Sequence, residues 1–166
     1  MKDRRTVTFA LGTVAIYLFT VLTIQVIASD EIIEPGDFPD SCPDGSLNCA
    51  MIGPHSYRSG GLTELRFESN LDSVMEEAGQ WLDSEPRTAV IGDWPGHTHA
   101  VFRSLMWRFP DDFLINGFCD EGETVIHVYS ESRLGISDLG VNKDRIERFA
   151  DHMSGVEMAT SECSEA

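Results

Sequence analysis

The spacing of apolar residues changes along the chain, and each change marks an element. Residues 6–28 run without a single charged side chain. As a helix rising about 1.5 Å per residue they would reach about 34 Å, enough for a hydrocarbon core of about 30 Å. Residues 29–61 then sustain no period of 2 or 3.6 and are rich in Pro, Gly, Asp and Ser, which predicts a stalk. Leu71, Val74, Met75, Ala78 and Leu82 share one helical face that Trp81 widens, with Ser69 or Asn70 placed to cap it. Residues 88–91, 99–109 and 123–130 are rich in Val, Ile, Phe, Trp and Tyr, and Gly, Pro and Asp separate them, so they read as strands. Trp94-Pro95-Gly96 and Phe109-Pro110-Asp111-Asp112 are the expected breaks, and residues 115–123 join the last two strands. A second helix follows, with Ile146, Phe149, Ala150 and Met153 on one face, Asn142 as its cap and Gly155 as its stop.

Helix, strands, helix in this order predicts an α+β domain, with an antiparallel sheet and two helices packed on one face. The expected division is a basic flank and transmembrane anchor over 1–28, a stalk over 29–61, a globular domain over 62–155 and an acidic tail over 156–166. A cleaved signal peptide is the rival for the first segment, but its apolar region is usually only about 7 to 15 residues long. Lys2, Arg4 and Arg5 precede the apolar run, and Asp30, Glu31, Glu34, Asp37 and Asp40 follow it. Basic flanks stay in the cytoplasm, so we expect a single-pass protein of the cell membrane, held through residues 6–28, with the domain outside.

Cysteine usage fits that compartment. Cys42, Cys49, Cys119 and Cys163 are an even set, as disulfides in an oxidising exterior require, and they allow three pairings. The short spacing of Cys42 and Cys49 predicts a local clasp, leaving Cys119 to Cys163. Charge narrows the partners. Without Lys2, Asp3, Arg4 and Arg5, the chain carries 9 basic and 27 acidic side chains, a formal −18. That surface repels phosphate, so nucleic acid and anionic membrane surfaces are poor partners. Lys143 is the sole lysine beyond the flank, and such a composition is one that a high-salt habitat favours, because about 1 M salt shortens the Debye length to about 3 Å.

Candidate chemistry is sparse. His97 and His99 would face one side of a strand, a spacing that can chelate a metal, but no third ligand is evident and the Trp94-Pro95-Gly96 break puts His97 in a turn. No metal or other cofactor is expected. Asp111 and Asp112 could form a carboxylate pair for acid–base work, although Asp after Pro is ordinary turn chemistry. There is no Gly-x-Ser-x-Gly elbow, and His127 and Ser130 fall on opposite faces of one strand.

The richest stretch is residues 130–149. Ser130, Ser132 and Arg133 end a strand, Gly135 and Gly140 permit turns, Asn142 opens the helix and Arg145 lies in its first turn. A cation there opposes the helix dipole and calls for an anionic partner, for which Asp138 is the expected choice. Two readings use the same parts. In one, Arg133 and Arg145 clip Asp138; in the other, the two guanidinium groups and free helix N–H groups hold a carboxylate or phosphate of a small anionic ligand. We favour the clip.

Ser130, Ser132, Arg133, Gly135, Asp138, Gly140, Asn142, Arg145 and Ile146 together closely resemble the C-terminal signature of the domain of unknown function 1499 family. Arg108-Phe109 with Asp111-Asp112, and Asn48-Cys49 with Cys42 upstream, extend the resemblance over about residues 42 to 154. Leu47, Ala50-Met51 and Pro110 depart from the family's usual residues. The resemblance implies a small exported or membrane-attached domain with no established activity. Two functions are therefore weighed: a surface domain binding a small ligand or protein partner, or serving as an envelope-associated structural domain, and a hydrolase or transferase using Asp111 or Asp112 beside Arg133 and Arg145. Catalysis needs one of these carboxylates within reach of the same pocket as the two guanidinium groups.

Overall fold

The alternation of helical and extended periods resolves into a single antiparallel sheet with helices behind it. The computed structural model describes residues 2–164; Met1 and residues 165–166, the outermost parts of the expected flank and tail, lie outside the described residues. Helix α1 (Lys2–Ile27) precedes β1 (Cys49–Ile52), β2 (Leu65–Phe67), α2 (Leu71–Ser84), β3 (Thr88–Trp94), β4 (His97–Arg103), β5 (Pro110–Asp120), β6 (Glu123–Ser132) and α3 (Val141–Gly155). The strand order is β1-β6-β5-β4-β3, and β2 also pairs with β6. The architecture is the expected α+β layer behind an apolar helix.

Within α1 the span Thr6–Ile27 has a mean hydropathy of 2.1 and is long enough to cross a membrane. Thr13, Thr20 and Thr23 donate their hydroxyls to carbonyls one turn back, so these polar groups are satisfied within the helix, as a lipid environment demands.

Strand pleating gives the sheet two faces. On one, Ala50, Ile52, Ala100, Phe102, Phe113, Ile115, Ile126 and Val128 meet Val74, Ala78, Trp81 and Leu82 of α2 and Ile146, Phe149, Ala150 and Met153 of α3. Trp81 packs against Phe102, Phe113 and Phe149, with ring centroids 5.1–6.0 Å apart. The opposite face carries Met51, Leu114 and Tyr129, covered by Cys42, Ile33, Phe38 and Tyr57.

Those covering residues correct the expected stalk. Part of residues 29–61 lines the second core, and β1 pairs with β6 from Cys49↔Glu131 to Ile52↔Val128. All four β1 residues are buried, so no alternation betrays a strand that has lost both faces to protein. The reading of 99–109 as one strand also fails. β4 stops at Arg103, Ser104 N–H bonds to the Phe109 carbonyl to close a turn, and Pro110 opens β5, a position where its missing N–H is tolerated. Asp111 and Asp112 thus lie in a strand. The expected connection over 115–123 is mostly β5 as well, ending in a two-residue hairpin in which Glu121 and Gly122 both have positive φ. His97 likewise begins β4 instead of lying in the turn, which is confined to Pro95-Gly96.

Two disulfides, Cys42–Cys49 and Cys119–Cys163, close sequence separations of 7 and 44. The second holds a docked tail. Cys163 N–H bonds to the Gly122 carbonyl, Ser161 N–H to that of Glu68, and Met158 packs on the main core.

Candidate functional site

The corner is assembled where β5 and β6 run side by side, with Asp111 opposite Ser132 and Asp112 opposite Glu131. Adjacent strand residues point to opposite faces, so the two aspartates part company. Asp111 points beneath α3, where its Oδ2 accepts from Arg145 Nη2 at 2.8 Å. Arg145 leans back over the first turn of its helix, as helical side chains do, and so meets the sheet. Its Nη1 donates to Ser130 Oγ at 3.0 Å and to Asn142 Oδ1, and its guanidinium stacks 4.3 Å from the Phe102 ring. Arg145 is 4% exposed and Asp111 7%. Burial pushes the guanidinium's pKa down, and Asp111 offsets this only in part.

The expected clip of Arg133 and Arg145 on Asp138 is therefore corrected. Asp138 has a different use: its carboxylate accepts from Gly140 N–H at 2.9 Å and Asn142 N–H at 2.7 Å, capping α3, with Arg58 3.4 Å away. Burial alone would raise this carboxyl's pKa; the bonds from the Asn142 and Gly140 amides outweigh it and hold it below the usual range. Asn142 is not the cap. It is the second residue of the helix and fully buried, accepting from Ser130 Oγ at 2.6 Å and donating to the Asn48 carbonyl and Ser132 Oγ. Asn48 answers by donating to the carbonyls of Ser132 and Gly135. Gly135 and Gly140 both adopt positive φ, 104° and 92°, the turns expected of them.

Arg133 works on the other face. Its Nε and Nη2 grip the two oxygens of Asp112 at 2.8 and 2.6 Å, while Nη1 donates to the Ala28 and Ser29 carbonyls and to Asp30. His99 joins from β4: Ile33 N–H donates to its Nδ1 at 3.0 Å, which places the ring proton on Nε2, facing Asp112 at 2.7 Å. His97 Nε2 reaches the Ile33 carbonyl at 3.2 Å. The two histidines thus grasp one backbone residue. Burial would raise the Asp112 pKa, but Arg133 and His99 hold it down, so the group is a carboxylate and a poor general acid near neutrality. Burial depresses His97.

The four charged groups do not share a concavity. A cleft of about 430 Å³ beside the outer pair is lined by Asp112 and Arg133 together with Glu31 and Glu131, while Asp111 and Arg145 sit under α3. That lining is net acidic, and every nitrogen of Arg133 already has an oxygen partner. Among the described residues no group of three or more His, Cys, Asp or Glu side chains is placed to hold a metal ion.

Sequence reasoning missed Asp30, Asn48, Arg58 and Arg103 as members of this network. Arg103 donates to Asp30 at 2.9 Å, a pairing between residues far apart in the chain that no local sequence pattern signals. Comparison with protein families matches residues 39–153 to a family described as protein of unknown function, DUF1499. No curated protein matches the chain.

Proposed function

Because the chain belongs to the DUF1499 family, whose function is unknown, and begins with a helix compatible with membrane anchoring, we propose that it is a membrane-anchored structural domain outside the cell whose charged corner fastens and does not catalyse. One observation carries this reading: the Arg133 guanidinium joins Asp112 of the sheet to Ala28, Ser29 and Asp30 at the end of α1. The domain is thereby held close to its anchor instead of swinging on a stalk. Any protein partner would meet a surface already fixed relative to the membrane. The acidic composition suits a high-salt exterior and weighs against nucleic acid.

The hydrolase or transferase alternative is disfavoured because Arg145 meets Asp111 on one face of the sheet and Arg133 meets Asp112 on the other, so neither carboxylate has both guanidinium groups beside it. The anionic-ligand reading is disfavoured by the acidic lining beside Arg133. Protease added to intact cells, with the full-length chain as substrate, tests the topology: cleavage of the domain after residue 29 is expected, and protection of a domain that is cleavable once membranes are opened contradicts it. Release of an intact chain starting at Ser29 would overturn the anchor.

A further inference from the structure

The turn between β4 and β5 breaks the polar character of the domain surface. Leu105, Met106, Trp107 and Phe109 all stand exposed on it, Leu105 by 73% and Met106 by 63%. Four neighbouring apolar side chains left open to water form a patch that calls for a cover. The turn lies directly against α1. Tyr17 donates its hydroxyl to the Met106 carbonyl at 2.7 Å, the Tyr17 and Trp107 rings are 5.6 Å apart, and the Gln25 amide donates to the Arg108 carbonyl at 2.8 Å. Tyr17 precedes Ile27, where the apolar span ends, by ten residues, about 15 Å along the helix axis.

We infer that this turn enters the bilayer beside α1, so that lipid acyl chains cover Leu105, Met106, Trp107 and Phe109. The inference rests on the anchored reading of α1 and adds a second point of attachment. Wherever the span's outer end meets the hydrocarbon boundary, a group touching Tyr17 lies on the lipid side of it. Irregular backbone is tolerated at that depth only when its polar groups are paired. Five backbone groups of the turn have partners: Tyr17 and Gln25 serve the Met106 and Arg108 carbonyls, Ser104 N–H bonds to the Phe109 carbonyl and Phe109 N–H to Ser104 Oγ. Arg108 is the one charged residue of the turn, and the paired charges gather at the other end of the contact. Arg103 bonds Gln25 Oε1 and Asp30, and Asp30 also bonds Arg133, which sets these groups at the level of the lipid head groups.

The test uses full-length protein in phosphatidylcholine nanodiscs. The chain has three tryptophans, so the emission lost in Trp107→Phe isolates Trp107. That component is expected to be quenched at least about twofold by lipids brominated along the acyl chain and hardly at all by iodide in the water. Iodide quenching without bromolipid quenching places the turn in water and overturns the inference while leaving the anchor intact. Shielding from both quenchers means that protein covers the turn, a second copy included, and also overturns it. Loss of the chain from the discs in an alkaline wash removes the anchored reading and this inference with it.

Discussion

Asp111 reaches Arg145 under α3 with almost no water near either side chain, whereas Asp112, one residue on, reaches Arg133 on the other face of the sheet, beneath a segment that continues into α1. The two pairs have the same chemistry and different consequences. The inner pair joins a helix to the sheet inside the core, so its loss is felt by the whole domain. The outer pair joins the domain to the end of α1, so its loss is felt first by residues 28–33. Neighbouring residues on a strand can thus belong to separate cooperative units, because pleating sends them into different layers.

The largest expected effect is at the inner pair. Asp111→Ala strands a buried guanidinium and should destabilise the domain by about 3–5 kcal/mol in denaturant unfolding. Replacing both partners, Asp111→Leu with Arg145→Met, should cost less than Asp111→Ala alone; a double variant that is worse than the single contradicts the assignment of the penalty to an unpaired charge. Next come the disulfides. Opening Cys119–Cys163 with paired Ser substitutions frees a separation of 44 residues and should cost about 2–4 kcal/mol, and opening Cys42–Cys49, with a separation of 7, should cost less; the reversed order would show that chain entropy does not govern them.

At the outer pair, Asp112→Ala should cost about 2 kcal/mol, the scale of hydrogen bonds to a charged group, with acid lability as its signature. Asp112, Asp30 and Asp138 are all held below the usual carboxylate range. Their stabilisation is therefore full above the unfolded value of about 3.9 and is lost as the pH falls through the lower folded values. A titration monitored by unfolding should show the loss below about pH 4, reduced in Asp112→Asn. The smallest effect is Asp30→Asn, below about 1 kcal/mol because that carboxylate is exposed, though the link between α1 and the sheet should loosen.

The helices were legible because each keeps one face dry: the 3.6 period of α2 and α3 survives in Val74, Ala78, Ile146 and Phe149. β1 and β5 were not. β1 is buried throughout and so shows no alternation, and β5 places Asp111 and Asp112 at its start and Asn116-Gly117 within it, residues that read as loop. The resemblance marked the corner from Ser130 to Arg145 but not its pairings. Asp138 is near Arg145 in sequence and occupied with the helix cap, while Arg145's partner lies 34 residues away on a strand that periodicity did not reveal. Charge complementarity indicates that a partner exists; only the pleat decides which one.

The central claim is that Arg133 fastens residues 28–33 to the sheet independently of the inner pair. Ile33 supplies the probe, because its N–H donates to His99 beneath that segment. Hydrogen exchange of full-length protein in nanodiscs, wild type against Arg133→Met, tests it most directly. The account predicts slow exchange at Ile33 in the wild type, faster exchange across residues 29–33 in the variant, and unchanged protection in α3 and β5. Free exchange at Ile33 in the wild type, or protection lost across α3 together with residues 29–33, would contradict it.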